Sequence, residues 1–403
     1  MKATSVLFST LAAALIATTS AHAASASVIY SFEGGSDGEY ADTDLVMDAS
    51  GNIYGTTVQG GQHASGTVWE LSPNGGSYTH TVLYSFTGSS DGAQPYKGVT
   101  VDAQGNLLGT TVTGGGGLCE GGCGVVYKLT KNGNTWKQSV IYTFAGGGDG
   151  SGPGAGLTID ELGNVYGTTP TGGVNGQGTI YELSPKGQDW KFKVIHAFTG
   201  ADGIGGSAGR LTPSNGSFYG TATSGGVSDA GTAYVLTPND KGKWKYKVIY
   251  QFLGTPGAGF PYGGLTFDAT GNAFGTTYYD GANDAGSVYE LTPRDHGLWK
   301  EKLLYSFQNN TDGNSPISTL AADADGNLYG TTSAGGQLND GTIFRMAQKG
   351  RRWIETIQHN FAGAPGDGAS PYSGMVSDGH GHFFGATTEG GADDEGAIYE
   401  FTP

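Results

Sequence analysis

The sequence has few of the residues from which metal sites, nucleic-acid interfaces and nucleophilic active sites are usually built. Among 403 residues there are two cysteines, eight histidines and 20 lysines and arginines, against 36 aspartates and glutamates. The formal net charge of −16 excludes the basic footprint that nucleic-acid binding requires. No GxSxG, HExxH or phosphate-binding glycine motif occurs in a strand-to-helix setting, so the common hydrolase, metalloprotease and nucleotide-binding signatures are missing.

Long hydrophobic runs are missing everywhere except at the N terminus. Residues 1–23 combine Lys2, the apolar run VLFSTLAAALIA and a small-x-small cleavage site at Ala21-His22-Ala23, which is the pattern of a secretory signal peptide. We expect the mature chain to begin near Ala24, to be secreted or periplasmic, and to contain no membrane span.

The two cysteines, Cys119 and Cys123, stand in the glycine-rich stretch LCEGGCG. In an exported protein, two thiols this close in one loop favour a local disulfide. A zinc site would need two further ligands, which no nearby histidine or aspartate spacing supplies.

Glycine is abundant, with 75 residues, but it recurs at regular positions and therefore does not indicate low complexity. A tetrad such as YGTT and an apolar pentad such as VIYSF each occur seven times, which fixes a repeat architecture. The tetrad glycines are Gly55, Gly109, Gly167, Gly220, Gly275, Gly330 and Gly385. The pentads end at Phe32, Phe86, Phe144, Phe198, Phe252, Phe307 and Phe361, with repeats starting near residues 28, 82, 140, 194, 248, 303 and 357.

Each repeat contains four short strand-like runs separated by turn residues and has no helical apolar period. Both faces of the strands are largely apolar, so each four-stranded antiparallel unit must be covered on both sides. The sequence therefore predicts an all-β fold, a single seven-bladed β-propeller spanning residues 24–403. The chain opens with an unpartnered fourth strand at residues 28–32 and ends on a third strand, so we expect the N-terminal strand to close the ring.

These phrases resemble the GloVer tandem-repeat proteins, whose repeats read like VLYSFTGSSDGAQPYKGVTVDAQGNLLGTT followed by GGxxxxGTVYELTP. The resemblance covers essentially residues 28–403. It implies an exported bacterial protein, often with a C-terminal anchoring tail, and no established activity. The chain stops at Pro403 without such a tail, from which we expect a free secreted or periplasmic form.

A propeller of this order places the long loops between blades and the loops after each second strand on one face, where ligands usually bind over the central channel. The repeats differ most where these loops approach the axis. Polar and aromatic exceptions gather in the adjacent blades seven, one and two, which predicts a pocket wall. Its members are Tyr372, Asp42, Asp44, His63, Tyr96 and Lys97.

Two further exceptions lie across the ring. When the seven repeats are aligned, an apolar residue such as Val99 or Leu157 opens the innermost strand, and in blade four Arg210 takes this position. Blade five contributes aromatic and acidic residues, namely Phe260, Tyr262, Tyr279 and Asp280, the last two in the run Tyr278-Tyr279-Asp280. Aromatic rings beside carboxylates and a few cations are suited to stacking on sugars and to hydrogen bonding with hydroxyls or uronates.

Three functions remain open at this stage, and we expect a monomer whose partner is an extracellular poly- or oligosaccharide. The first is glycan binding at one central site, with Tyr372, Tyr262, Phe260, Tyr279 and Asp280 as contacts. The second is a polysaccharide lyase or a hydrolase. A lyase would use Lys97, His63 or a tyrosinate as base, Tyr96 or Tyr372 as acid and Arg210 as the cation. A hydrolase would use Asp42 and Asp44. The third is a structural or protein-interaction ring, in which the exceptions are repeats that have drifted apart.

Aspartate-glycine steps recur in six of the seven loops between blades. Turn formation is the first explanation for these steps, and calcium held by the loop carboxylates is the alternative. We expect no other cofactor. The aspartates are Asp37, Asp91, Asp149, Asp202, Asp312 and Asp367.

Overall fold

Short strands form throughout the chain because β-branched and aromatic residues alternate between turns rich in glycine and asparagine. The computed structural model describes residues 24–133, 135–206, 209–239, 243–297 and 299–403. The predicted signal peptide at residues 1–23, with its cleavage site, lies outside the described residues. In the described part of the chain, the one helix is a 3₁₀ turn at Asp295–Gly297, and no helix is long and apolar enough to cross a bilayer.

The strands form seven four-stranded antiparallel blades, which confirms the predicted all-β propeller. Blade one contains Val46–Met47, Ile53–Thr57, Thr67–Asn74 and Ser77–Ser85. Blade two contains Val99–Val101, Leu107–Thr111, Val125–Asn132 and Thr135–Thr143. Blade three contains Thr158–Ile159, Val165–Thr169, Thr179–Lys186 and Asp189–Ala197. Blade six contains Ala321–Ala322, Leu328–Thr332, Thr342–Lys349 and Arg352–Asn360.

Blades four and five each carry a fifth strand, formed by part of the loop that enters the blade. In blade four, Ile204–Gly206 joins Thr212–Ser214, Ser217–Ser224, Thr232–Pro238 and Trp244–Gln251. In blade five, Ala258–Pro261 joins Thr266–Phe267, Ala273–Asp280, Ser287–Pro293 and Trp299–Ser306. A separate two-stranded pair joins Gly368–Ala369, in the loop that enters blade seven, to Glu389–Gly390, which follows the second strand of that blade.

The N-terminal strand completes blade seven, as the sequence predicts. Ser25–Ser31 pairs antiparallel with Ala397–Thr402, which in turn pairs with Phe383–Thr387 and, through it, with Val376–Ser377. Six residue pairs, from Ser25 with Thr402 to Ser31 with Ala397, define the register. The first and last strands are thereby joined, so the C-terminal strand is paired on both sides and is not left as an open edge.

The hydrophobic core is divided into seven clusters, and each lies between two adjacent blades. One of them joins Phe32, Phe384 and Ile398 of blade seven to Ile53 and Trp69 of blade one, which closes the circle. The seven phenylalanines that end the apolar pentads are all fully buried. The two apolar faces of each blade are covered by its neighbours, as the strand pattern requires.

The glycine of the tetrad is required because an aromatic side chain packs directly against it. The aromatic ring of the third strand lies over the glycine of the second, so a Cβ at Gly167 would overlap the hydroxyl of Tyr181. The same relation joins Gly55 to Trp69 and Gly330 to Phe344. Each blade thus seats one large ring against its own inner strands.

The aspartates of the Asp-Gly steps fasten the loops between blades to the outer strands. Asp37 accepts a hydrogen bond from Tyr30 Oη at 2.7 Å and another from the backbone of Glu33. A tyrosine or histidine of the fourth strand contacts the equivalent carboxylate in the other five loops of this kind, as at Tyr84–Asp91 and His359–Asp367. These bonds give the carboxylates a structural role, and no cluster of three metal-ligating side chains occurs among the described residues.

Cys119 and Cys123 form the predicted disulfide, with Cα atoms 5.1 Å apart. The bond closes the loop after the second strand of blade two. Cys123 is buried and belongs to the core cluster between blades two and three, so the disulfide ties this loop to the body of the ring.

Candidate functional site

A cavity of about 300 Å³ lies on the long-loop face, over blades two, three and four. The cavity is open where blade three lacks a side chain that three other blades carry. Blade three has Pro153-Gly154 where blades two, five and seven have Pro95-Tyr96, Pro261-Tyr262 and Pro371-Tyr372. The lining residues are Asp42, Tyr96, Lys97, Val112, Gly152, Gly154, Ala155, Thr168, Pro170, Gly206, Thr223 and Tyr262.

Lys97 is the charged centre of the site and connects three blades. Its ammonium donates to Asp42 Oδ1 of blade one at 2.5 Å and to the backbone carbonyl of Tyr372 of blade seven at 3.0 Å. The backbone N–H of Lys97 also donates to the Asp42 carbonyl. The side chain is only 9% exposed, so both partners hold a largely desolvated cation in one place.

The electrostatic surroundings keep Lys97 charged. Burial acts to lower its pKa, but the negative charges of Asp42 and Asp44 outweigh burial, and the pKa is raised above its ordinary value. A general base must be neutral before it accepts a proton, so this environment opposes the predicted role of Lys97 as a base. The lysine has instead the properties of a fixed cation and hydrogen-bond donor.

Three tyrosines surround the mouth of the site. Tyr96 and Tyr262 line the cavity, and Tyr372 joins them through the contact of its carbonyl with Lys97. Tyr262 and Tyr372 are 38% and 39% exposed, so part of each ring is open to solvent. Burial and then the charge of Asp42 raise the pKa of Tyr96, while burial is the main cause of the raised pKa of Tyr372. Both phenols therefore remain protonated donors at neutral pH.

Arg210 belongs to the ring of residues that immediately precede the inner apolar positions, here called the axial layer, and this corrects its predicted position. The inner apolar position of blade four is filled by Leu211, which is 2% exposed and packs in the core between blades three and four. In blade three, Thr158 follows the inner apolar residue, and its Oγ1 donates to the backbone carbonyl of Leu211 in blade four. In blade four, Thr212 Oγ1 donates in the same way to the backbone carbonyl of Leu265 in blade five. Leu211 and Leu265 are thus equivalent. The tight turn of blade four is one residue shorter than that of blade three, which shifted the alignment by one residue.

The axial layer therefore contains Arg210 in blade four and Asp44 in blade one, with Thr319 in blade six and glycines in the other blades. A Cβ at Gly156 would lie 3.2 Å from Arg210 Nε, which places the arginine side chain against blade three. Asp44 and Thr319 line a small space of about 10 Å³ next to Lys97 and Tyr262. In the described part of the chain, neither the Asp44 carboxylate nor the Arg210 guanidinium forms an ion pair.

The remaining predicted residues lie away from this centre. His63 is exposed in the loop after the second strand of blade one and does not line the cavity. Phe260, Tyr279 and Asp280 lie over blade five, and only Tyr262 of the predicted blade-five set reaches the cavity. Sequence comparison overlooked the cavity floor in blades three and four, although the change from Pro-Tyr to Pro-Gly at residue 154 was a visible signal.

A larger cavity of about 630 Å³ lies between blades two and three on the opposite face, beside the tight turns. Its one lysine, Lys128, is paired within the protein, with a 2.9 Å contact to Asp102. A similar groove of about 510 Å³, lined by Asp323 and Trp353, occurs between blades five and six. Because these grooves recur with the repeat, we attribute them to the common architecture and take the smaller central cavity as the candidate site.

Solved structures share the fold at low sequence identity. A protein from Lactobacillus plantarum aligns with a TM-score of 0.52 and 13% identity over 87% of this chain and 99% of its own. A puromycin-hydrolyzing peptidase of Mycobacterium tuberculosis aligns with a TM-score of 0.51 and 11% identity over 91% of this chain, which spans about half (53%) of the peptidase. A protein of unknown function from Dyadobacter fermentans has a TM-score of 0.46 and 13% identity, over 93% of this chain and 96% of its own. These likenesses concern the fold alone.

No protein with a curated description matches the sequence. The Gloeobacter/Verrucomicrobia repeat matches it in four overlapping stretches, at residues 14–161, 49–260, 117–309 and 244–403. Together these stretches cover nearly the whole chain, and the resemblance inferred from the repeat phrases is confirmed. The chain is therefore a member of the Gloeobacter/Verrucomicrobia repeat family.

Proposed function

We propose that the protein is an exported carbohydrate-binding propeller with one glycan site in the central cavity. The observation that carries the proposal is the wall of this cavity, where Tyr96 and Tyr262 stand beside the Lys97–Asp42 ion pair. Partly exposed tyrosine rings offer flat apolar faces for sugar rings, and their phenols offer hydrogen bonds to hydroxyls. The buried ion pair adds charged groups at a defined position. Export is supported by the signal-like N terminus and by the disulfide, which is typical of oxidising compartments.

A single site is favoured over seven because the blades differ here. Each blade of a repeated lectin would carry the same binding residues, whereas the tyrosines, Lys97 and the glycines of this cavity each come from particular blades. We expect a stoichiometry near one ligand per chain. The cavity volume lies at the lower end of the range for small-ligand sites, which suits one or two sugar units.

The test fills the cavity with a residue that the chain itself uses elsewhere. Gly154→Tyr changes Pro153-Gly154 to the Pro-Tyr of blades two, five and seven. The backbone at Gly154 lies outside the left-handed region, and a Cβ there would lie 3.3 Å from Val112 Cγ2, so a small shift of that side chain accommodates it. Gly147→Tyr is the matched control, because no atom lies within 4 Å of a Cβ at Gly147.

Affinity electrophoresis of both variants and the wild type is run in soluble cellulose, mannan, polygalacturonate and alginate. We expect the wild type and Gly147→Tyr to be retarded by at least one polysaccharide, and Gly154→Tyr to lose that retardation while keeping the wild-type unfolding midpoint. Retention that Gly154→Tyr leaves unchanged would remove the cavity from the proposal. Absence of retention in every gel would favour the structural or protein-interaction ring.

A polysaccharide lyase is the second candidate, favoured by the protonated Tyr96 phenol beside the Lys97 ammonium. These groups provide an acid and a cation for the charge that develops during elimination. The base would have to be another group, since Lys97 is held protonated and His63 lies outside the cavity. The same polysaccharides are incubated with the protein, and new ultraviolet absorbance would mark a lyase, whereas reducing ends without it would mark a hydrolase.

A further inference from the structure

We propose that the ligand is an extended glycan chain, which leaves the central cavity over blade five along an aromatic track. The track consists of Tyr262, Tyr278, Tyr279 and Phe260. This inference rests on the proposed function and adds to it the class of ligand, a chain longer than the cavity can hold, and the direction in which that chain runs.

The four rings form a series of neighbouring contacts that begins at the cavity. Tyr262 lines the cavity, and its ring centroid lies 6.1 Å from that of Tyr278. The centroids of Tyr278 and Tyr279 are 4.1 Å apart, and Tyr279 is followed by Phe260 at 6.2 Å. Tyr279 is 45% exposed, so the outer part of the track is open to solvent. Contiguous exposed aromatic surface of this kind marks an interaction site.

The track is mounted on β-sheet rather than on a free loop. The second strand of blade five, Ala273–Asp280, has eight residues, whereas its counterpart in blade three, Val165–Thr169, has five. The added strand Ala258–Pro261 pairs with this extension, with Gly259 opposite Tyr279 and Pro261 opposite Thr277. Rings held by paired strands lose little freedom on binding, which favours affinity.

Asp280 holds this extension in place. In other blades the corresponding stretch contains two consecutive glycines, such as Gly60-Gly61 in blade one. Asp280 occupies the position of the first of these glycines and has the same left-handed backbone conformation, with φ of 65°. The carboxylate is 8% exposed, accepts a hydrogen bond from Thr255 Oγ1 at 2.5 Å and lies against Gly259. Asp280 is thus a positioning residue that joins the loop before the added strand to the strand that carries Tyr279.

A glycan chain fits this surface better than a nucleic acid does. The track contains no lysine or arginine, its buried neighbour Asp280 is acidic, and the protein carries a net charge of −16. The phenol hydroxyls of three of the four rings can hydrogen-bond with sugar hydroxyls while the ring faces stack on sugar rings. Because the cavity is small, a chain seated in it must cross the rim, and the aromatic surface of blade five leads outward from Tyr262.

The test compares ligand lengths. Oligomers of two and eight residues from the four polysaccharides of the panel are titrated by calorimetry into the wild type, Tyr279→Ala and Tyr40→Ala. Tyr40 serves as the control because it is a tyrosine of blade one that is 39% exposed, at the position equivalent to Phe260 and away from blade five. We expect Tyr279→Ala to weaken binding of the octamer about tenfold, as expected for losing one stacked ring and its hydrogen bond, and to leave the dimer unchanged. Tyr40→Ala should bind both as the wild type does.

The aromatic track would be refuted if Tyr279→Ala lost the same affinity for the dimer as for the octamer, if it lost no affinity for either, or if Tyr40→Ala lost as much. Each of these outcomes would leave the central site in place. The proposed function fails separately, if no oligomer binds to the wild type and no polysaccharide retards it, and the track then fails with it. Unfolding midpoints of the variants are measured alongside, so that a loss caused by misfolding is recognised.

Discussion

The closing strand can be tested with one buried ring. Phe32 follows the N-terminal strand and is fully buried between blades seven and one, where its ring meets Tyr30, Trp69 and His80 at centroid distances of 5.2 to 5.7 Å. Phe198 occupies the equivalent position between blades three and four and also contacts three aromatic rings. If the ring is closed as described, the two phenylalanines stabilise the protein to a similar extent.

Truncating a fully buried phenylalanine to alanine removes its transfer free energy and leaves a cavity, at a total cost of about 3–5 kcal/mol. We therefore expect Phe32→Ala and Phe198→Ala each to lower the free energy of unfolding by about this amount. Phe198 lies in the middle of the chain, where its strand is covalently continuous with both neighbours. Phe32 is attached to its blade only by strand pairing and packing, so its variant reports directly on closure.

The assay is urea unfolding of the mature chain, followed by tryptophan fluorescence and evaluated at comparable m-values. Trp69 belongs to the same cluster as Phe32, so its emission reports on the junction between blades seven and one. A loss below about 1 kcal/mol in Phe32→Ala, together with the full loss in Phe198→Ala, would refute ring closure by the N-terminal strand.

Two further predictions concern buried polar groups. Tyr181→Phe should leave the free energy of unfolding unchanged or raise it by about 1 kcal/mol, because the buried Tyr181 hydroxyl has no partner among the described residues. Blade six already has a phenylalanine, Phe344, at the equivalent position. Urea unfolding midpoints of the variant and the wild type test this prediction. Burial, with the charge of Asp312, raises the pKa of Glu355 to about 7. Between about pH 4.5 and 7 the Glu355 carboxyl is therefore protonated in the folded state and ionised in the unfolded state. The free energy of unfolding consequently falls as the pH rises through that range. Glu355→Gln should therefore be more stable than the wild type at pH 8, on the order of 1 kcal/mol after allowance for solvent screening, and not at pH 4; a gain of equal size at both pH values would contradict this.

The sequence alone determined the architecture because repetition converts a weak local pattern into a strong one. Period-two alternation between turns predicts strands in each repeat, and seven copies with the same order predict seven equivalent blades. The leading fourth strand at residues 28–32 and the missing fourth strand at the C terminus together predicted closure. The pairing of Cys119 with Cys123 was likewise local enough to follow from spacing.

The sequence already grouped Tyr372, Asp42, Tyr96 and Lys97 in one pocket wall, but only the tertiary structure decided how they contact one another and which other predicted residues join them. Lys97 and the Tyr372 carbonyl are separated by 275 positions in sequence and meet because the ring closes. The one-residue shortening in blade four moved Arg210 from an inferred core position to the axial layer, and the cavity opens where blade three has Gly154 in place of the tyrosine of blades two, five and seven. Local sequence sets strands and turns through short-range hydrogen bonding, whereas a site at the hub depends on the distance and register between blades, which only the packed ring determines.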